Sequence, residues 1–178
     1  MPSGQTHDRI TLWSLPVIAG CTYILTQRSG DRTLIVAGAF LFSGLMFGPD
    51  LDIYSVQYKR WGYLRWLWIP YQKILKHRSF FSHGLIIGTT LRLLYLAIWL
   101  SVLGIFAVGI AELWGDVSWN WQLWAQLAKK YTYEWFLLFA GLEMGAISHI
   151  LSDCIGSFVK RKQRKKVNTG KIKKSTLK

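Results

Sequence analysis

The sequence contains little cysteine, little histidine and few acidic residues. Its 178 residues include two Cys, four His and nine Asp and Glu. Cys21 and Cys154 lie far apart in apolar stretches, which argues against a disulfide framework or a thiolate metal site, and we interpret both as small buried hydrophobic residues. The N-terminal segment lacks a cationic region and an A-x-A cleavage site, so we do not expect a removable signal peptide.

Apolar and basic residues dominate what is present. The hydrophobic content is 51%, and 22 Lys and Arg give a net charge of +13. Ten of those basic residues, and no acidic residue, lie in 160–178. We predict a membrane-embedded domain over 1–159 and a disordered basic tail over 160–178 that is attracted to anionic lipid headgroups. Because the excess charge lies mostly in the tail, we do not expect a nucleic-acid partner.

Four apolar segments predict an all-α fold, a four-span membrane helix bundle. The clearest is 84–110, whose 27 residues contain one charge, Arg92. Two shorter spans, 10–25 and 34–48, are predicted to form a helical hairpin around the polar turn at 27–32. The membrane is therefore the predicted environment, and lipid the predicted neighbour.

The last predicted span, 135–159, contains Glu143, His149 and Asp153, which a membrane helix tolerates when they face partners or a polar cavity. His149 and Asp153 are four residues apart, so they share one helix face and can supply two ligands to one metal. Glu143 lies deeper and is a poor ligand candidate. Arg92 and Glu143 either pair with each other or with a nearby carboxylate, or Arg92 binds a substrate phosphate.

Lys and Arg are distributed unevenly between the two predicted faces. The tail, the connection at 51–81 and Arg9 carry 17 basic residues, whereas the two opposite connections carry four. By the positive-inside rule both termini are predicted to be cytoplasmic, in a prokaryotic inner membrane. The segment 61–71 mixes aromatic and cationic residues and is predicted to lie in the headgroup layer. Four tryptophans at 114–124 predict an aromatic belt on the opposite face.

Every histidine lies in a polar cluster at the predicted cytoplasmic face. Imidazole and carboxylate groups without thiolate suit a catalytic Zn²⁺ site, and also Mn²⁺ or Fe²⁺. We therefore predict a divalent metal site, with zinc favoured, built from four clusters. The predicted ligands are His7, Asp50, Asp52, His77, His83, His149 and Asp153, with Asp8 as an outer partner.

Each cluster has a simpler alternative. The Asp50-Leu51-Asp52 stretch could merely end a helix, and the N-terminal cluster could cap one. His77 and His83 are six residues apart, so one could bind metal while the other orients it or titrates. The sequence leaves open which aspartate of the one pair, and which histidine of the other, is the ligand.

At these clusters the sequence resembles a known family. The stretches 2–8, 49–52, 77–84 and 148–153 are similar to the signature blocks of small bacterial membrane proteins that are predicted to bind metal. Those proteins are related to the YdjM-type membrane-bound metal-dependent hydrolases. The resemblance covers nearly the whole chain except the tail, and it implies a metal site more directly than a reaction.

A more distant similarity is to the all-helical superfamily of zinc-dependent phospholipase C and single-strand nucleases. Its ligands run in the order His, Asp, His, then H-x-x-x-D, and the order here is similar, ending in His149 and Asp153. The resemblance implies that Asp153 bridges two metals. The later His and H-x-x-x-E pair of those enzymes have no counterpart after Asp153, which leaves a third metal position without ligands.

The predicted function is a membrane-bound metal-dependent hydrolase of phosphoesters, with lipids as the favoured substrates. Bound metal would acidify a water and neutralise charge on the phosphoryl oxygens. Asp52 is the predicted proton acceptor, and Arg78 or Arg92 the predicted contact for the substrate anion.

The alternative is a non-enzymatic metal-binding membrane protein, such as a transport component, sensor or assembly factor. A transport component would need ligands that continue across the bilayer. Below His149 the sequence offers only Glu143 and Arg92, so we favour the hydrolase.

Overall fold

The described part of the chain, residues 4–115 and 120–175 of a computed structural model, is entirely helical. This confirms the all-α prediction. Residues 2 and 3 of the first signature block, and Trp119 of the predicted belt, lie outside the described residues. The helices are α1 (Gly4–Leu25), α2 (Gly30–Leu45), α3 (Val56–Arg60), α4 (Ile69–Ile74), α5 (Phe80–His83), α6 (Ile87–Trp114), α7 (Trp121–Lys130) and α8 (Thr132–Ser175), with 3₁₀ segments at Pro49–Asp52 and Gly62–Trp68.

Glycines allow α8 to pack closely against α2. Gly141 and Gly145 are four residues apart on one face of α8, the spacing of a small-xxx-small helix contact. A Cβ added at Gly141 would lie 2.6 Å from the carbonyl oxygen of Val36, and one at Gly145 would lie 2.6 Å from Cβ of Ser43. Larger residues would therefore separate the helices. This contact fixes α8 beside the C-terminal end of α2.

Among the described residues, three segments are long and apolar enough to cross a membrane, namely Gly30–Asp52, Ile87–Trp114 and Thr132–Phe158. In the most apolar stretch of Ile87–Trp114, no residue is buried by the rest of the protein. The prediction of four such helices is wrong at α1, because Asp8, Arg9 and several hydroxyl residues reduce its apolar character. α1 packs along α2, and a short turn connects the two helices.

The predicted disorder of the tail is also wrong as far as Ser175. The backbone of α8 continues without a break from Thr132 to Ser175. Lys, Arg and Gln have favourable helix propensities, and a helix already formed upstream removes the cost of nucleation. The two cysteines are exposed rather than buried, because Cys21 and Cys154 lie on outward faces of their helices.

The aromatic segment 61–71 has two faces. Tyr63 is 99% exposed and Trp66 is 50% exposed, as expected of a segment that meets the headgroup layer. Trp68 is fully buried, and so is Tyr71, in a hydrophobic cluster with residues such as Leu51. Burial raises the pKa of Tyr71 to about 12. The segment therefore packs one face against the protein core and exposes the other at the surface.

Candidate metal centre

One end of the bundle gathers side chains from all four sequence clusters. They form two groups of three, and within each group one possible ligand atom per residue lies within 4.8 Å of the others. Six of the seven predicted metal ligands are therefore brought together. The first group is His7, His149 and Asp153, all buried, and the second is Asp50, His77 and His83, all half-buried.

The first group joins the N-terminal turn of α1 to α8. The rings of His7 and His149 stack with their centroids 4.0 Å apart and their planes 17° apart. His7 Nε2 lies 3.3 Å from Asp153 Oδ1. Burial lowers the pKa of His7, which favours the neutral imidazole that binds metals.

The second group joins the 3₁₀ segment Pro49–Asp52 to α5. The rings of His77 and His83 meet edge to face with centroids 5.1 Å apart. Asp50 lies between the two groups, because its Oδ1 is 3.8 Å from His83 Nε2 and its Oδ2 is 3.2 Å from His149 Nε2. The more distant resemblance implies a bridging Asp153, which stays a prediction, and in the structure the two oxygens of Asp50 lie near histidines of both groups.

Three of the four histidines are fixed through their δ-nitrogens. Ser152 Oγ contacts His7 Nδ1, and Ser82 Oγ lies 2.8 Å from His83 Nδ1. His77 Nδ1 lies 2.9 Å from Asp52 Oδ1. Hydrogen bonds of this kind orient metal-binding imidazoles and leave the ε-nitrogen for the ion. Both serines lie beside histidine motifs in the sequence, but residue spacing alone indicates no role for them.

The donor set fits a divalent cation. Both nitrogens of His149, the ε-nitrogens of His77 and His83, and Oδ1 of Asp50 are buried without a hydrogen-bond partner. Buried polar atoms of this kind are costly unless something satisfies them. A cation coordinated by imidazole and carboxylate would satisfy these atoms together.

Asp52, the seventh predicted ligand, occupies a different position. Its side chain has no solvent exposure, and Oδ1 contacts the ring of His77. The contact with His77 favours an orienting role, and the lack of solvent exposure argues against the predicted role of proton acceptor. Oδ2 of Asp52 is buried without a hydrogen-bond partner, so its role as a metal ligand stays a prediction. Asp50 is thus the better ligand of the pair, while the ε-nitrogens of both His77 and His83 are available.

Asp8 does not contact the two groups directly. Its carboxylate forms a two-pronged ion pair with Arg60, at 2.9 and 2.5 Å, and Arg60 also donates to the Leu45 carbonyl at 2.8 Å. The hydrogen bond with Asp8 raises the pKa of Arg60. Asp8 therefore ties the start of α1 to α3 and to the end of α2, and supports His7 only through the backbone.

The arginines predicted to contact substrate differ in exposure. Arg78 has a side chain that is 49% exposed, with Nη2 3.7 Å from Asp153 Oδ2, so it lies at the rim of the site. Arg92 is only 1% exposed and donates to the Ser82 carbonyl at 3.0 Å and to Thr89 Oγ1 at 2.9 Å. These contacts favour a positioning role for Arg92 over a substrate contact.

Arg92 and Glu143, the charged residues of the predicted spans, hold the chain that carries His83. Glu143 Oε1 accepts a hydrogen bond from the backbone N–H of Ile86 at 2.8 Å. Ile86 has φ 64°, a conformation that β-branched residues rarely adopt. Among the described residues, Arg92 and Glu143 form no ion pair with each other within 4.0 Å. Both charges instead fix the turn between α5 and α6.

An all-helical chain with convergent, unsatisfied imidazole and carboxylate atoms at one end of its bundle has the features of a metal-binding protein. The chain belongs to the family described as uncharacterized metal-binding protein (DUF2227), which matches residues 2–163. This confirms the prediction of metal binding. The relationships to the YdjM-type hydrolases and to phospholipase C stay predictions. No curated protein and no solved structure matches the chain.

The role of Asp52 gives a testable prediction. Asp52→Asn should weaken metal binding about 10–100-fold without abolishing it, because it removes a charged partner of His77 and leaves the ligands in place. Isothermal titration with Zn²⁺ measures the effect. Asp31→Asn, at the far end of α2, is the matched control. Complete loss of binding in Asp52→Asn would show instead that Asp52 is itself a ligand.

Proposed function

We propose that this protein is a membrane-embedded, metal-dependent hydrolase of phosphoesters, with zinc as the favoured ion and manganese or iron as alternatives. One observation carries the proposal: unsatisfied imidazole and carboxylate atoms form two groups on either side of Asp50, next to an exposed arginine, Arg78. A buried structural metal site would have no use for an exposed cation at its edge.

The residues suggest a division of labour. His7, His149 and Asp153 would hold one ion, and His77 and His83 a second, with Asp50 shared between them. Bound metal of this kind supplies an activated water and neutralises charge on a phosphoryl group.

The chain's own groups would bind and orient the substrate. Arg78 would donate to the phosphoryl oxygens, as guanidinium groups do. Asp153 faces Arg78 through Oδ2 and His7 through Oδ1.

Membrane placement is part of the proposal. With Ile87–Trp114 and Thr132–Phe158 crossing the bilayer, the connection at 51–81 and the C-terminus lie on one side. The excess of Lys and Arg makes that side cytoplasmic. The basic tail would then face anionic lipid headgroups, and nucleic acid is not expected as a partner.

A reporter fused after Lys178 or inserted in 51–81 should therefore read cytoplasmic, and one inserted in 120–131 should read external. Paired phosphatase and fluorescent-protein fusions measure this. An external signal at Lys178 would contradict the proposed topology.

The hydrolase proposal is tested with purified full-length protein, loaded with Zn²⁺, Mn²⁺ or Fe²⁺ and assayed against phosphomonoesters and phosphodiesters. Turnover that needs metal and is lost in His149→Ala supports it. Metal binding without turnover of any substrate would favour the alternative of a sensor, assembly factor or transport component. A transport component would also need polar residues below the site that can bind the transported ion. Arg92 and Glu143 are instead engaged with the α5–α6 turn.

A further inference from the structure

A second surface borders the metal centre on the outer face of α8. It is a pocket of about 640 Å³, which we call the α8 pocket. It includes Arg78, His83 and Asp153 at one end and Cys154, Phe158 and Arg161 along α8. Because His83 and Asp153 belong to the two metal-binding groups, a molecule in this pocket touches the proposed reaction site directly.

The pocket carries positive charge at both ends. Arg78 and Arg161 are exposed, and Arg161 lies two helical turns beyond Asp153, about 12 Å along α8. A ligand that contacts both arginines must therefore be anionic and extended. The lining also contains the carboxylate of Asp153, which lies next to His7 and is expected to bind metal.

The wall between the two arginines is apolar and lies in a candidate membrane span. Phe158 is 68% exposed, and Ile150 also lines the pocket. Both belong to the segment Thr132–Phe158, which is long and apolar enough to cross a bilayer. Such a wall is favourable against acyl chains and unfavourable against water. The pocket thus combines a charged end for a headgroup with an apolar side for lipid tails.

We infer that the α8 pocket admits an anionic phospholipid from the membrane, with its headgroup extended between Arg78 and Arg161 and its acyl chains along Phe158. The inference rests on the proposed function and names its substrate class. The ten basic residues of 160–178 begin at the mouth of the pocket, so they would concentrate anionic lipid there.

Cys154 allows a test with the native chain, since it lines the pocket, while Cys21 lies on α1 and serves as an internal control. The protein is alkylated with a maleimide in detergent micelles that contain phosphatidylglycerol, phosphatidylcholine or no lipid. We expect phosphatidylglycerol to slow modification of Cys154 and to leave Cys21 unchanged. Lipid retention in native mass spectrometry gives a second readout that does not depend on thiol reactivity.

Arg161→Ala should weaken protection and lipid retention about fivefold, the ratio that corresponds to the loss of one cation near anionic lipid. Lys162→Ala, an exposed neighbour that does not line the pocket, should change neither. Metal content should stay constant in both variants.

Several outcomes would overturn the inference. Equal protection and retention with phosphatidylglycerol and phosphatidylcholine would remove the charge requirement. Protection by inorganic phosphate alone, equal to that by lipid, would show a site for soluble phosphate. Turnover of soluble phosphoesters without lipid binding would overturn this inference and leave the hydrolase standing. Specific lipid binding without turnover of any phosphoester would support this inference and overturn the hydrolase proposal.

Discussion

Asp50→Ala should strip most of the bound metal from the purified protein. Asp50 lies between the two groups, 3.2 Å from His149 and 3.8 Å from His83 through different oxygens. Its loss removes the shared carboxylate and leaves adjacent imidazoles with less negative charge to hold a cation. The weakening should exceed the roughly 10–100-fold that the loss of an outer hydrogen-bond partner costs. The weakening is measured as the metal content per chain, by inductively coupled plasma mass spectrometry after desalting.

Asp31→Ala is the matched control for Asp50→Ala. Asp31 is an exposed aspartate in the first turn of α2, at the end of that helix far from the 3₁₀ segment that carries Asp50. It should keep the full metal content. Equal metal content in Asp50→Ala and wild type would remove Asp50 from the site and would break the link between the two groups.

The second large effect is expected at Arg78. Arg78→Ala should lower turnover of an anionic substrate by about 10²-fold, the scale for one lost donor to a developing negative charge. Metal content should stay nearly unchanged, because guanidinium does not bind metal and Arg78 contacts the site only through Asp153 at 3.7 Å. Steady-state kinetics and metal analysis of the same preparation measure both effects.

Arg65→Ala is the control for Arg78→Ala, since Arg65 is an exposed arginine of the aromatic segment that belongs to neither metal-binding group and does not line the α8 pocket. It should keep wild-type turnover. If Arg78→Ala loses metal in proportion to turnover, Arg78 has a structural role. If the loaded wild type turns over no phosphoester, the non-enzymatic alternative takes the place of the hydrolase.

The gathering of the clusters could be predicted because topology follows from charge and hydropathy. The bias of Lys and Arg assigned the connection at 51–81 to one face, the predicted hairpin of α1 and α2 returned the start of α1 to that end, and the four-residue spacing placed His149 and Asp153 on one side of α8. That is enough to bring distant residues together. It needs no knowledge of side-chain conformation, which is why it could be done from the sequence.

The choice between Asp50 and Asp52 could not be predicted. Both lie in one 3₁₀ segment, where a difference of two residues turns one carboxylate toward His149 and the other toward His77. The roles of Ser82 and Ser152 were missed for a similar reason, because a hydroxyl beside a histidine becomes informative only when the ring orientation is known.

The roles of the buried charges also depended on tertiary contacts. Arg92 and Glu143 were expected to pair or to meet substrate, yet each bonds to the segment that carries His83 or follows it. Gly141 and Gly145 pack α8 against α2, while Glu143 on another face of α8 reaches the Ile86 backbone. Such contacts depend on the relative placement of α2, α6 and α8, which periodicity does not specify.

X-ray absorption spectroscopy on the metal-loaded, full-length wild type tests the central claim most directly, because it reads the atoms bound to the ion. A centre built from His7, Asp50, His77, His83, His149 and Asp153 predicts a first shell of nitrogen and oxygen, with the outer-shell scattering of several imidazole rings and no sulfur. A shell of water oxygens without imidazole scattering, or one containing sulfur from Cys21 or Cys154, would contradict it.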